Sequence, residues 1–271
     1  MVELTAAVEM EKARIDPIGA QRNVILGLLI MFCSGAWAWL AWHGAGIHHH
    51  PGSPMAAPTM GMQAPLFVTM WMAMTVAMMF PTAAPMLLTF HKTQESKRRH
   101  GQAFVATWAF LAGYMVVWLL SGIAAYIGAI AFEAFASRAA FSAETMNRFG
   151  GAILVAAGLY QLTPIKDMCL SKCRTPLSFI MTSWRDGVNG AVMMGVIHGA
   201  YCLGCCWLLC AIMFPLGMMN LAVLATVTLV VFAEKTLHRA RLLAQVTAVI
   251  LTVGGALMIA APDALSTFVE G

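Results

Sequence analysis

The chain has 271 residues, of which 60% are hydrophobic and only 10% are charged, with a mean hydropathy of +0.77. Soluble domains carry about a quarter charged residues, so this composition excludes a soluble globular protein. The net charge is +4, but the Lys and Arg residues lie in short, separated clusters without a basic face, which excludes nucleic-acid binding. Membrane lipid is therefore the expected partner of most of the surface.

Seven apolar runs are long enough to cross the hydrocarbon core of a membrane as helices. They cover residues 24–42, 66–90, 103–131, 149–165, 188–214, 219–233 and 242–261. The sequence thus predicts an all-α fold, a polytopic membrane helix bundle with about seven transmembrane helices over residues 24–262. A cytoplasmic segment, 1–23, is expected before the bundle, and a short outer tail, 263–271, after it.

The distribution of basic residues predicts that the amino terminus lies inside. With seven spans in that orientation, every Lys and Arg except Arg138 and Arg148 falls at the inner surface. This bias follows the positive-inside rule. Dropping or merging one span would break the pattern, so the charge placement supports both the span count and the orientation.

The first outer loop, 43–65, is rich in His, Met, Pro and Gly and contains no Lys or Arg. Its candidate ligands are His48, His49, His50, Met55, Met60 and Met62. A short His-rich tract of this kind can collect metal weakly, and it can equally be an unstructured connection.

The second span places Met70, Met74 and Met78 four residues apart, which puts their thioethers on one face of a helix. On its own, such a stripe is more often adaptable packing than a metal path. Pro81 and Pro85 follow in the same helix, where their missing N–H groups free backbone carbonyls and permit a kink. The stripe becomes a candidate metal path because sulfur-rich segments follow it in the chain.

Two further thiols lie in the predicted inner loop after the fourth span. Cys169 and Cys173 form a C-x-x-x-C pair among Lys and Arg residues. Neighbouring positive charge favours the thiolate, which binds Cu(I) or acts in a reactive dithiol. The spacing is a weak signal, since zinc and redox pairs more often use C-x-x-C.

The fifth span carries the most informative pattern, a histidine followed by four cysteines. On a helix, Met194, His198, Cys202 and Cys205 fall within about 80° of one another, and Cys206 lies beside them. Thiolate, thioether and imidazole are soft ligands that prefer Cu(I), while Cys and His also serve zinc. Buried cysteines can alternatively be small packing groups, and a lone intramembrane His can simply bond to the backbone.

Two other features concern packing. Gly195 and Gly199 form a small-residue surface on which a second helix can approach and supply further ligands. Glu234, at the inner end of the sixth span, is expected to pair with Lys235 or to cap the interface rather than to bind metal.

These motifs together resemble a bacterial family of unknown function described as predicted metal-binding integral membrane proteins. The resemblance covers about residues 66–262 and rests on Met70-Trp71 to Met86, Cys169 to Pro176 with Trp184-Arg185, His198 to Trp207, Met219-Asn220-Leu221, and Glu234-Lys235. It implies a multi-pass protein of the bacterial inner membrane with a suspected metal. One position departs from the family pattern, because Lys172 stands before Cys173 where we expect His.

The leading hypothesis is a metal-binding membrane protein that handles Cu(I), by transport or by delivery to a client metalloenzyme. Thioethers bind less tightly than thiolates, so Met70 and Met74 in the outer half, the thiols near mid-membrane and Cys169 with Cys173 inside form a graded series. The sequence contains no P-loop and no intramembrane acidic chain that would couple this path to an energy source.

Two alternatives stay open. The chain can be a structural or accessory subunit of a larger membrane complex, with its cysteines as packing groups. It can also be a thiol-disulfide oxidoreductase whose C-x-x-C-C segment works with a quinone, the inner dithiol being a separate pair. Thiols in the middle of a membrane have poor access to a substrate protein, so enzymatic activity is the less favoured reading.

Overall fold

The computed structural model describes residues 17–46, 55 and 57–261, and in these segments it contains helices and no strands. The helices are α1 (Pro17–Gly46), α2 (Ala64–Arg99), α3 (Thr107–Arg138), α4 (Ala143–Tyr160), α5 (Pro164–Arg174), α6 (Pro176–Ser183), α7 (Gly187–Ala211), α8 (Met213–Leu216), α9 (Leu221–Thr236) and α10 (Ala240–Ala260). The all-α prediction is confirmed for this part of the chain. Helix α1 takes in the end of the predicted segment 1–23, whereas residues 1–16 and the tail 263–271 lie outside the described residues.

Five helical segments are long and apolar enough to cross a membrane. They are Gln21–Gly44, Ala64–Arg99, Thr107–Arg138, Gly187–Leu216 and Ala240–Ala260. Helix α4 is less apolar because its first turns hold Glu144 and Arg148, and α9 has only 16 residues. The described residues therefore provide five candidate spans, and the count of seven stays a prediction.

Contacts near the helix ends sort those ends into two groups. In one group, the Arg174 guanidinium donates to the carbonyl of Leu237 at 2.6 Å, and Lys97 pairs with Asp186. The first contact joins the end of α5 to the end of α9, and the second joins the end of α2 to the start of α7. They link the three inner loops that are predicted between the spans.

The opposite group of ends is held by other polar contacts. The backbone N–H and the hydroxyl of Thr59 both donate to Glu133 Oε1 at 2.7 Å, and Tyr126 donates to the carbonyl of Met62 at 3.4 Å. The start of α2 thus meets the end of α3, as expected for helices that alternate in direction. Which group of ends faces the cytoplasm stays a prediction.

Helix α2 continues through Pro81 and Pro85 without a break. Because Pro81 has no N–H, the carbonyl of Ala77, four residues earlier, loses its usual helical partner. The thiol of Cys33 on α1 donates to this carbonyl, with 3.4 Å between sulfur and oxygen. A neighbouring helix therefore satisfies the carbonyl that the proline was predicted to free.

Helix α7 occupies the middle of the bundle, where it contacts α3, α4, α5 and α9. Its cysteines face these neighbours and are buried. The outer helices instead expose large apolar side chains, including Leu229 at 67% and Ile250 at 64%. Large exposed apolar surfaces of this kind need cover by lipid or by a partner protein.

Candidate metal centre

Helix α3 comes close to α7 along a glycine surface. A Cβ added at Gly195 would lie 2.0 Å from the carbonyl oxygen of Phe110, and one added at Gly113 would lie 2.0 Å from that of Val192. No side chain fits at these distances, so glycine at both positions lets the two backbones meet. The predicted packing surface at Gly195 is confirmed, and the approach carries Tyr114 of α3 to the thiols of α7.

Cys202 is the centre of the polar contacts in this region. Its Sγ lies 3.1 Å from the hydroxyl oxygen of Tyr114 and 3.1 Å from Nζ of Lys235 on α9, which donates to it. All three side chains are buried. An ammonium group removed from water requires polar or anionic partners, and Cys202 is one of them.

The Lys235 ammonium has two more partners, both on α2. Its Nζ lies 3.6 Å from Sδ of Met79 and 3.3 Å from Oγ1 of Thr82. The interior therefore holds a monovalent cation between a thiol, a thioether and a hydroxyl. Neither Lys235 nor Met79 was a predicted member of the site.

Glu234 does not pair with Lys235, contrary to one expectation from the sequence. Its carboxylate accepts from Nζ of Lys166 at 2.7 Å and from Nε2 of Gln161 at 3.0 Å. Successive residues of a helix project about 100° apart, so Glu234 reaches α5 while Lys235 reaches α7 and α2. Two neighbours in sequence thus belong to two separate polar networks.

Helix α5 packs onto α7, so the predicted inner loop is instead a helix. A Cβ added at Gly204 would lie 2.9 Å from Sγ of Cys169, which shows how closely the two helices meet. Hydrogen bonding to Cys202 and to Cys205, followed by burial, raises the pKa of Cys173 well above its usual range. The inner thiols therefore join the thiols of α7 rather than forming an independent pair.

Two of the thiols of α7 are turned toward the backbone of their own helix. Cys205 and Cys206 both donate to the carbonyl of Cys202, with sulfur to oxygen distances of 3.1 and 2.9 Å. Within the described ranges, no three His, Cys, Asp or Glu side chains form a group that could hold a metal ion as they stand. A metal ion can bind this cluster only if the thiols rotate away from that carbonyl.

His198 lies one helical turn before Cys202, among aromatic rings. The ring centroid of Phe179 lies 5.4 Å from that of His198, and those of Phe110 and Tyr114 lie 5.8 Å away. The side chain is buried, and in the part of the chain that the structure describes its Nδ1 has no hydrogen-bond partner. Met194, one turn earlier on the same face, is also buried.

The methionine stripe of α2 faces the interior, as the periodicity predicts. Met70, Met74 and Met78 are each only 2% exposed. Their role as ligands stays a prediction. Met79 was missed because it falls outside the four-residue interval, and only the packing of α9 against α2 brings Lys235 to it.

The predicted His and Met tract is only partly within the described residues. His48, His49 and His50 lie outside them. Met55 is buried, and Met60 and Met62 are partly buried against the core. Metal collection by this tract stays a prediction.

Comparison with known proteins also points to the handling of copper. A family model described as PpoB2, copper chaperone, matches residues 68–258. This range contains every candidate ligand from Met70 to Cys206. No curated protein and no solved structure matches the chain. The match supports the metal-related part of the expected resemblance and leaves its membrane part as a proposal.

Proposed function

Because the chain belongs to the PpoB2 copper chaperone family, we propose that it binds Cu(I) within a membrane helix bundle and passes it to a client. The ion is the cargo of the protein rather than a permanent part of its fold. The proposed ligands are the thiols of one cluster, Cys169, Cys173, Cys202, Cys205 and Cys206. Cys202 is central because side chains from α3, α5 and α9 all reach it.

The position of the Lys235 ammonium is the observation that carries this proposal. The interior accommodates a single positive charge 3.1 Å from a thiol sulfur and 3.6 Å from a thioether sulfur. Cu(I) has the same charge and prefers these two ligand types. Zn(II) carries twice the charge and does not favour thioethers, so the surroundings support copper over zinc.

The remaining candidate ligands extend the cluster along the helices. His198 has a buried, unpartnered Nδ1 in the described structure, and Met194 lies one turn beyond it. Met70, Met74 and Met78 line the interior face of α2. In the proposal these weaker ligands hold Cu(I) on its way to or from the thiols.

The bacterial inner membrane is the proposed location, with seven spans and the amino terminus inside. Five helices are long and apolar enough to cross, and the apolar side chains exposed on the outside need a lipid or protein environment. The client is proposed to be a membrane metalloenzyme or a larger complex, because Cu(I) in the bundle is best passed to a partner docked beside it.

The proposal is tested by anaerobic Cu(I) titration of the detergent-purified protein against a chromophoric Cu(I) chelator. We expect tight binding by the natural chain and at least a tenfold weaker affinity after Cys202→Ser with Cys205→Ser. Cys33→Ser is the matched control, because Cys33 lies outside the cluster and a serine hydroxyl can still donate to the Ala77 carbonyl. Equal affinity of the double variant and the control would refute the proposal.

A further inference from the structure

A small cavity lies between α2, α3, α7 and α8. Its volume is about 10 Å³, close to the space that one water-sized particle needs. Five of its lining residues carry sulfur, namely Met74, Met78, Met79, Met213 and Cys210. Only two of these, Met74 and Met78, belong to the stripe that the sequence predicts.

The lining does not suit a water molecule. The Thr75 hydroxyl in the wall donates to the carbonyl of Trp71 at 2.9 Å, and the Trp71 indole N–H is directed to Ser121 Oγ at 3.2 Å. Trp118, which also lines the cavity, has a buried indole N–H without a hydrogen-bond partner in the described residues. A buried water needs about two to four polar partners, and this wall offers one unpartnered side-chain N–H or oxygen.

The same lining does suit a soft monovalent ion. Thioethers bind Cu(I) without having to lose a proton, and they are poor ligands for Zn(II). The chemistry of the wall therefore selects Cu(I) among the common cellular metals.

Met79 connects this cavity to the cysteine cluster. It lines the cavity, and its Sδ also lies 3.6 Å from Nζ of Lys235, which donates to Cys202 Sγ at 3.1 Å. Met79 thus belongs both to the wall of the cavity and to the polar contacts around Cys202. The Lys235 ammonium lies between this thioether and the thiol of Cys202.

We propose that this thioether cavity is a second Cu(I) site, formed by Met74, Met78, Met79 and Met213 with the sulfur of Cys210. This inference rests on the proposed function, since it takes Cu(I) as the cargo. The ion stays Cu(I) throughout, and binding to the thioethers transfers no electron and releases no proton.

The test uses two variants of the full chain in detergent. The first replaces Met74, Met78 and Met213 by Leu, which removes three sulfurs while nearly conserving side-chain volume. The second replaces all five thiols of the cluster by Ser, namely Cys169, Cys173, Cys202, Cys205 and Cys206. Met86→Leu is the control for the first, because Met86 is equally buried on α2 and does not line the cavity.

Copper stoichiometry and X-ray absorption provide the readout. We expect two Cu(I) per chain in the natural protein and in Met86→Leu, and one in each multiple variant, with sulfur as the dominant ligand in the serine variant. Loss of all copper from the serine variant would overturn the cavity site and leave the cysteine cluster standing. If the leucine variant does not fold, the serine variant alone still decides the question.

Two outcomes separate the two proposals. A serine variant that retains one copper while the leucine variant loses one supports both sites. A leucine variant that keeps two copper ions overturns the inference and not the proposed function. Absence of copper from every protein would overturn both.

Discussion

Lys166 and Glu234 form an ion pair across the interface of α5 and α9, with Nζ and Oε2 2.7 Å apart and side chains only 1% and 3% exposed. The acid of α9 is therefore neutralised by α5. Because Glu234 is already paired, the ammonium of the next residue, Lys235, contacts the thiol of Cys202 instead. The positive charge beside Cys202 thus depends on the ion pair between Lys166 and Glu234, which keeps Glu234 away from Lys235.

Removing one member of this buried pair should be costly. We expect Lys166→Met to lower the free energy of unfolding by about 3–5 kcal/mol, because the Glu234 carboxylate is left buried without its cation. Adding Glu234→Leu should recover most of this loss. Unfolding in mixed detergent, followed by circular dichroism, measures both, with Lys172→Met on the same helix as control. A double variant no more stable than the single one would contradict the account.

The contact of α3 with α7 depends on Gly195. We expect Gly195→Ala to destabilise the protein by about 1–3 kcal/mol, because its Cβ meets the carbonyl of Phe110 and forces the helices apart. It should also weaken Cu(I) binding, since Tyr114 moves away from Cys202. Gly128→Ala on α3 is the control, because a Cβ there meets nothing within 4 Å. Similar melting temperatures for the two variants would argue against this contact.

The Lys97 pair at the start of α7 should make stability depend on acid pH. Hydrogen bonds from Lys97 and then from Trp184 lower the pKa of Asp186. A carboxyl whose pKa is lower in the folded state stabilises the fold above its unfolded pKa, and this contribution disappears as pH falls through the folded pKa.

The matching measurement compares melting temperatures of the natural chain and Asp186→Asn from neutral to acid pH. We expect a small difference at pH 7 that vanishes in acid and that shrinks at high salt, because the carboxylate is exposed. A difference that persists below the folded pKa would assign the effect to something other than the charge.

Glu133 should anchor the segment that leads into α2. Its carboxylate accepts both the N–H and the hydroxyl of Thr59 at 2.7 Å. We expect Glu133→Ala to increase amide hydrogen exchange around residues 59–62 at least tenfold, as measured by mass spectrometry. Glu144→Ala, which removes a carboxylate paired with Arg148 on the surface, should leave this exchange unchanged.

The sequence was most informative where a single helix determines the geometry. The inward stripe of Met70, Met74 and Met78 follows from helical periodicity alone, and so does the shared face of Met194, His198 and Cys202. Contacts between helices were harder to predict from the sequence. Nothing local indicates that Cys173 reaches Cys205, because this depends on α5 packing against α7.

Composition and helical spacing by themselves determined the all-helical fold, its apolar exterior and the sulfur-rich face of one central helix. These properties are local, since hydropathy and a rotation of about 100° per residue belong to each segment separately. Only the tertiary structure decided that Lys235 contacts Cys202 and Met79 while Glu234 contacts Lys166. Which groups two adjacent side chains contact depends on the helices that pack around them. That packing is a property of the whole bundle.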